Sequence, residues 1–481
     1  MIKRVLFAYT PHYATVIVYM LQGTEYNFKS YLSWLWRTRD YSKVMYRRQL
    51  DRTRVARLLS LFMIAGMASQ LAMGIVLVCL WKWNHLSYGA LIGGGLIISY
   101  PIVWSHLIII PVYIARELYV RPTEQKLIAA SERIFSTHPG VKIAVAGSYG
   151  KTSMKELLLT VLSTGLKVAA TPANKNVAVS HAHFANSLVG DEDVIVVEYG
   201  EGQPGDIVRF AKSTKPQHGI ITGLAPAHLD KYKSLKAAAQ DIMSLTEFLD
   251  SSHIYVNAES PELRPYIRRF SRNQTYSVNG VLDWKVNAVV VSIKGTDFIL
   301  QKASKKIELH SDLIGRHNIG PLALVAVLAL KFGLSVDQVK QGVLNTKPYE
   351  HRMQPYQLSG AWIIDDTYNG NLEGVRAGTR LLAELPSKRK IYVTPGLVEQ
   401  GDQVQSVHFE VGQLIAKTKP DVVVLIQNSV TKYIVEGLVA SKYEGRILQE
   451  TDPLKFYSNL DQFVAAGDVV LMQNDWTDNY V

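Results

Sequence analysis

"AVAGSYGKTSMKE", residues 144–156, decides how the rest of the chain is read. An apolar run, "VKIAVAG", enters it as a short strand, and "TSMKELLLTVLSTG" leaves it as a helix predicted to stop at Gly165. A strand feeding a glycine turn that opens a helix aims several backbone N–H groups into one concavity at the positive end of the helix dipole. Phosphate fits such a place. Gly147 and Gly150 permit close approach beside Ser148 and Ser153, Lys151 can reach the β and γ phosphates, and the Thr152 hydroxyl can hold Mg²⁺. The standard phosphate-loop pattern nevertheless requires glycine where this chain has Val145, so the Gly-Lys-Thr triplet needs companions.

Two companions follow in sequence order. Glu198 ends the apolar strand "DVIVVEYG", where a carboxylate at the C-terminal edge of a sheet can meet the loop and bind Mg²⁺. His228, in "TGLAPAHLD", follows a third strand and reaches the same edge. Each has a plainer reading, as a solvated strand-end acid and a hydrogen-bonded loop histidine. The alternation of strand-like and helix-like segments implies an α/β fold, a P-loop domain with a mostly parallel sheet. Between about 285 and 312 the pattern turns to strict alternation and predicts added antiparallel ribbons. A second, Rossmann-like α/β run opens at "AWIIDDTYNGN" and closes at "GDVVLMQND".

From about residue 139 to about 475 these pieces resemble, in order and spacing, the Mur ligase family, most of all the members that add D-alanyl-D-alanine. The family's phosphate loop reads Gly-Ser/Thr-x-Gly-Lys-Thr/Ser without the extra upstream glycine. Other matches are "TPANKNVAVS" with Asn174 and Asn176, "EYGEGQPGDI" with Glu198, "VNAES" with Asn257, "GRHNIG" with His317 and Asn318, "HRM" with Arg352, "IIDDTYNGN" with Asp365, Asp366, Tyr368, Asn369 and Asn371, and "SVHFEVG" with His408. The resemblance implies an ATP- and Mg²⁺-dependent ligase of peptidoglycan precursor synthesis. A carboxylate is activated as an acyl phosphate and joined to an amino acid or dipeptide. It further implies Lys151, Glu198, His228 and Arg352 as catalytic groups, with Thr152, Glu198 and His228 on Mg²⁺. Asn257, His317 and Asn318 would lie near the adenine and Asp366 near the ribose, with Asn174, Asn176, Tyr368, Asn369 and Asn371 toward the other substrates.

Composition locates the rest. Of the formal charge of +11, residues 1–57 carry +8, beside two uncharged runs, Leu58–Trp81 and Tyr88–Ala115. Each run exceeds the ~20 residues a membrane-crossing helix needs. A basic excess confined to one end beside such runs suits anionic lipid headgroups and argues against nucleic acid. The expected organisation is a basic amphipathic membrane-surface region (1–57), a two-helix transmembrane hairpin (58–115), a linker (116–138), a central ATP-binding domain (139–345) and a C-terminal domain (346–481). Arginines and lysines flank both ends of the hairpin, which puts the catalytic domains on the cytoplasmic face of the cell membrane. Val5–Gln22, apolar but interrupted by Pro11 and His12, reads as an interfacial segment or a signal peptide, and residues 23–57 as a helix resting on headgroups. Cys79 is the single cysteine, so there is neither an intrachain disulfide nor a cysteine-rich zinc site.

Departures from the family pattern are equally legible. Many members carry a carbamylated lysine about fourteen residues past the metal-binding histidine, where this chain has Ile242, and Pro321 stands where asparagine is usual. The soluble UDP-binding domain that normally leads the family is replaced by the hairpin, which points to a lipid-linked or membrane-presented acceptor. Two alternatives stay open, a ligase for another acid and amine pair, of polyglutamate type for example, and a membrane-anchored scaffold that binds nucleotide without turnover.

Overall fold

The computed structural model describes residues 6–24, 26–38, 41, 44, 50–83, 86–173, 175–225, 229–268, 270, 274–368, 370–398, 400 and 403–474. They form two compact units, residues 1–126 and 127–481.

In the first unit Pro11 opens the helix Pro11–Gly23 and does not break it, because proline at the first helical position gives up an N–H that has no intrahelical partner. Tyr13, Ile17 and Leu21 of this helix are buried with Tyr31 and Leu35 of the helix Phe28–Arg37, and Tyr31 donates to Ser105 O at 2.7 Å. Residues 23–57 are therefore not one surface helix. Among the described residues the helix covers only Phe28–Arg37, and the next starts at Arg54, where Thr53 accepts from Ala56 N.

Arg54–Lys82 and the continuous helix Gly89–Thr137 are long and apolar enough to cross a bilayer. Close approach between them rests on glycine. A Cβ on Gly93 would lie 2.5 Å from Gly74 O, and one on Gly89 would lie 2.4 Å from Leu77 O. Gln70 crosses the same seam, donating to Leu96 O and Ser99 Oγ at 3.2 Å. The segment expected as a linker is helical instead, passing through a π turn, Arg116–Val120, into Arg121–Thr137.

Among the described residues the second unit contains two sheets. In the first, β1 (Val141–Ala146), β2 (Val168–Ala170), β3 (Val194–Glu198), β4 (His218–Ile221), β5 (Ile254–Asn257) and β6 (Thr275–Ser277) run parallel in the order β2-β3-β1-β4-β5-β6. β7 (Gly280–Val281), β8 (Trp284–Ser292), β9 (Gly295–Lys302) and β10 (Lys305–Ser311) continue it as the antiparallel meander that the alternating pattern predicted. The second sheet has the order β11-β12-β16-β13-β14-β15, from Gln354–Leu358, Ala361–Asp366, Asp468–Gln473, Arg389–Thr394, Val422–Ile426 and Arg446–Glu450. Only the edge pair β11–β12 is antiparallel in it.

The core explains the near-continuous apolar strands. Ile143, Val145, Val194, Val196 and Ile220 are buried against the helices Lys151–Leu162 and Ile319–Lys331, and each such side chain contributes about 1.5–3 kcal/mol. Strand β1 lies between β3 and β4, so the chain leaves it at a topological switch point, where open α/β sheets bind ligands. The helix that follows β1 ends at Leu162, three residues before the predicted Gly165.

Candidate functional site

The loop after β1 is shaped by two glycines in the left-handed region. Gly147 has φ +143°, and a Cβ there would meet Thr222 Oγ1 at 2.3 Å. Gly150, at φ 73°, precedes the helix Lys151–Leu162 without a side-chain cap, which leaves the first N–H groups of that helix available to a ligand. Thr222, just past β4, braces the loop by donating to Tyr149 O at 2.5 Å, and Ser148 N donates to Gly223 O at 2.8 Å.

Register then delivers the acid. Val145 pairs with Glu198 across the β1–β3 ladder, which puts the carboxylate beside the loop, where Thr152 Oγ1 and Asn176 Nδ2 each donate to Oε1 at 3.1 Å. Glu198 is 1 % exposed, and its Oε2 has no hydrogen-bond partner. The ammonium of Lys155 lies 3.4 Å away, held also by Glu156 Oε1 at 3.1 Å and by the Ala173 carbonyl. His181 Nε2 donates to the Glu198 carbonyl at 2.8 Å, and burial pushes its imidazole down to about 4, so the ring is neutral. A carboxylate with one oxygen free of hydrogen bonds, beside a threonine hydroxyl, fits a hard divalent cation.

Lys151 is already occupied. Its Nζ donates to Gly147 O at 2.5 Å and to Glu201 Oε2 at 2.6 Å. Across a cleft of about 830 Å³ the second sheet contributes Arg352, Asp366, Tyr368 and Asn371. The Arg352 guanidinium stacks over the Tyr368 ring at 4.8 Å, and burial lowers its pKa against the pull of Asp366. Asp366 accepts from Gln473 Nε2 at 2.8 Å and from Met353 N at 3.2 Å, yet burial pushes its carboxyl up to about 6.

Most of the residues expected from the sequence meet in this cleft. Ser148, Gly150, Lys151, Thr152, Ser153, Asn176, Glu198, Asn257, His317, Asn318, Arg352, Asp366, Tyr368 and Asn371 all line it. His228, Asn174 and Asn369 lie outside the described residues. Several side chains also have structural work. Asn257 Nδ2 donates to Thr222 O and Asn318 Nδ2 to Ile314 O, at 2.8 and 2.9 Å, while Asn371 Oδ1 caps the helix Leu372–Glu384 by accepting from Gly374 N at 2.9 Å. Asp365 is taken by His351 and Thr367, and buried His408 accepts from Leu397 N at 2.9 Å. Ile242 is fully buried among Ile221, Leu224 and Val256 and brings no ligand to the cleft.

Lys155, His181 and Glu201 are additions that the sequence did not disclose. The signal for Lys155 was its place one turn after Lys151, on the face that also carries Thr152.

Residues 145–329 match the Mur ligase middle domain. The chain is 29 % identical over 285 residues to the UDP-N-acetylmuramoyl-tripeptide–D-alanyl-D-alanine ligase of Escherichia coli K12, covering 57 % of this chain and 62 % of that relative. It is 30 % identical over 290 residues to the ligase of the same name from Synechocystis, covering 60 % and 62 %. The match thus spans less than two thirds of these relatives' own length. Among solved structures, MurF from Thermotoga maritima in complex with ADP superposes with a TM-score of 0.63 at 22 % identity, over 74 % of this chain and 81 % of that one. MurF from Acinetobacter baumannii gives 0.64 at 20 %, over 73 % and 77 %. Residues 145–329, with their phosphate loop at a sheet switch point and their acid delivered by β3, are thus a Mur ligase middle domain.

Proposed function

We propose that the chain is an ATP-dependent ligase that forms an amide bond on a peptidoglycan precursor, with D-alanyl-D-alanine as the amine substrate. The observation that carries this reading is the convergence of Lys151, Thr152 and Glu198 from the first sheet with Arg352 and Asp366 from the second on one cleft. Lys151 and the open N–H groups of the helix Lys151–Leu162 receive the nucleotide phosphates, and Arg352 faces them with a second positive charge. Asn257, His317 and Asn318 take the adenine end, and Asp366 the ribose. The γ-phosphoryl group passes to the substrate carboxylate, and the incoming amine displaces phosphate as the amide forms.

Thr152 Oγ1 and the Glu198 carboxylate, whose Oε2 makes no hydrogen bond and faces the Lys155 ammonium at 3.4 Å, would hold Mg²⁺, with His228 as a further ligand. When bound, the cation supplies charge neutralisation between phosphoryl oxygens. Lys155 holds the Glu198 carboxylate in register and ties it to the Ala173 carbonyl.

The two long helices are read as a membrane hairpin, because their apolar windows are only 22 % and 17 % buried, unlike the largely buried core helix Ile319–Lys331. The acceptor is then lipid-linked or met at the membrane surface, and the second unit faces the cytoplasm.

The test is mass spectrometry of the products formed from ATP, Mg²⁺, muramoyl-tripeptide acceptors and D-alanyl-D-alanine. An added dipeptide mass with release of one phosphate is expected, and Lys151→Ala should lower phosphate release by about 10² or more. The burial of Ile242 in the apolar core favours a second reading, a nucleotide-binding scaffold, which predicts bound ATP and no phosphate release with any amine.

A further inference from the structure

A carboxylate stands where the phosphates of a nucleotide have to be received. Glu201 Oε2 lies 2.6 Å from Lys151 Nζ, with side chains 4 % and 11 % exposed. The loop that carries Glu201 is tied at both ends and in the middle. Gly200 N donates to Asn176 O at 2.8 Å, Gly202 N and Gln203 N donate to Asp206 Oδ2 at 3.2 and 2.9 Å, and Gly205 N donates to Asp241 Oδ1 at 2.8 Å. A Cβ on Gly200 would stand 2.5 Å from Asn176 Oδ1, so the loop sits tightly on the segment that also supplies a donor to Glu198.

A polyphosphate that reaches Lys151 therefore meets a second anion fixed within a few ångströms, in a cleft wall largely closed to water. Repulsion at that range is strong where solvent screening is weak. Swinging Glu201 aside would need the tethered loop to give way. A divalent cation carried with the phosphates would offset their charge and relieve the conflict without moving the loop.

We propose that Glu201 is a charge gate on the phosphate loop: it holds Lys151 while the site is empty and makes polyphosphate binding conditional on a divalent cation, so that metal-free nucleotide is refused. This rests on the nucleotide-binding reading of the cleft. Glu201 is thereby a specificity-determining residue and not a catalytic one.

The experiment is isothermal titration calorimetry of ADP into the full chain in detergent micelles, with Mg²⁺ and separately with EDTA, for the wild type, Glu201→Gln and Glu201→Ala. In EDTA the wild type should bind ADP weakly, and both variants should bind it about tenfold or more tightly, because the opposing charge is gone. The advantage given by Mg²⁺ should shrink by the same factor. Two chemically different replacements keep the test alive if one fails to give a cooperative thermal transition. Unchanged metal-free affinity in the folded variants, or tight metal-free binding by the wild type, overturns the gate while leaving the nucleotide site standing. A wild type that binds no ADP even with Mg²⁺ overturns both.

Discussion

Asp366 shows how a single side chain trades stability for a place in the cleft. Its carboxyl is raised from 3.8 to about 6, first by burial, with Gln473 and Arg352 pulling the other way. The folded chain thus binds the Asp366 proton more tightly than the unfolded chain. Ionised Asp366 costs stability at every pH above about 6, and that cost fades as the pH falls through 6 toward the unfolded value. The rise from 3.8 to about 6 corresponds to a ceiling of about 3 kcal/mol, reduced by the hydrogen bonds that asparagine would lose. Asp366→Asn should therefore stabilise the protein by about 1–2 kcal/mol near neutral pH, and the advantage should vanish by about pH 4. Urea unfolding at the two pH values checks this, and an equal difference at both would mean that the carboxyl is not strained.

At the scale of elements, capping and close approach make separable predictions. Asn371 was expected among the substrate contacts, yet its side chain caps the helix Leu372–Glu384. Asn371→Ala should cost about 1 kcal/mol, and Asn371→Ser should restore most of it. If serine recovers the melting temperature but leaves KM for the amine raised, the residue serves both purposes, whereas full recovery of both confines it to capping. In the hairpin, a Cβ on Gly93 collides with the Gly74 carbonyl, while one on Gly94 meets nothing within 4 Å. Gly93→Val should lower the stability of the detergent-solubilised protein by about 1–3 kcal/mol, and Gly94→Ala should be nearly silent. Equal effects at the two positions would mean that the helices do not pack through this seam.

For the whole molecule, the proposed reading as a ligase with a membrane hairpin makes the choice of acceptor testable. A chain held at a bilayer sees a membrane-bound substrate at raised local concentration, which no contact in the cleft has to supply. In nanodiscs, the full chain is expected to use a polyprenyl-linked muramoyl peptide in preference to its soluble UDP-linked counterpart. Competition between the two acceptors, read by product mass, measures this. A clear preference for the soluble substrate would reject the membrane role, though not the ligase chemistry.

What the sequence determined by itself was local or periodic. Val145 and its neighbours announced a buried parallel strand, Gly147 and Gly150 a turn that only glycine makes without strain, and the uncharged runs after Arg57 two long apolar helices. Those features depend on neighbours a few residues away, so composition and spacing carry them. Tertiary structure alone decided the rest. It put Glu201 on Lys151, fifty positions distant in sequence, brought Lys155 against Glu198, buried Ile242 in the core and gave Asn371 a cap to make. Strand order sets which loop ends meet, and desolvation sets what a charge costs once they do. Neither quantity is written in any window of the sequence, because both arise only when distant segments share a low-dielectric space.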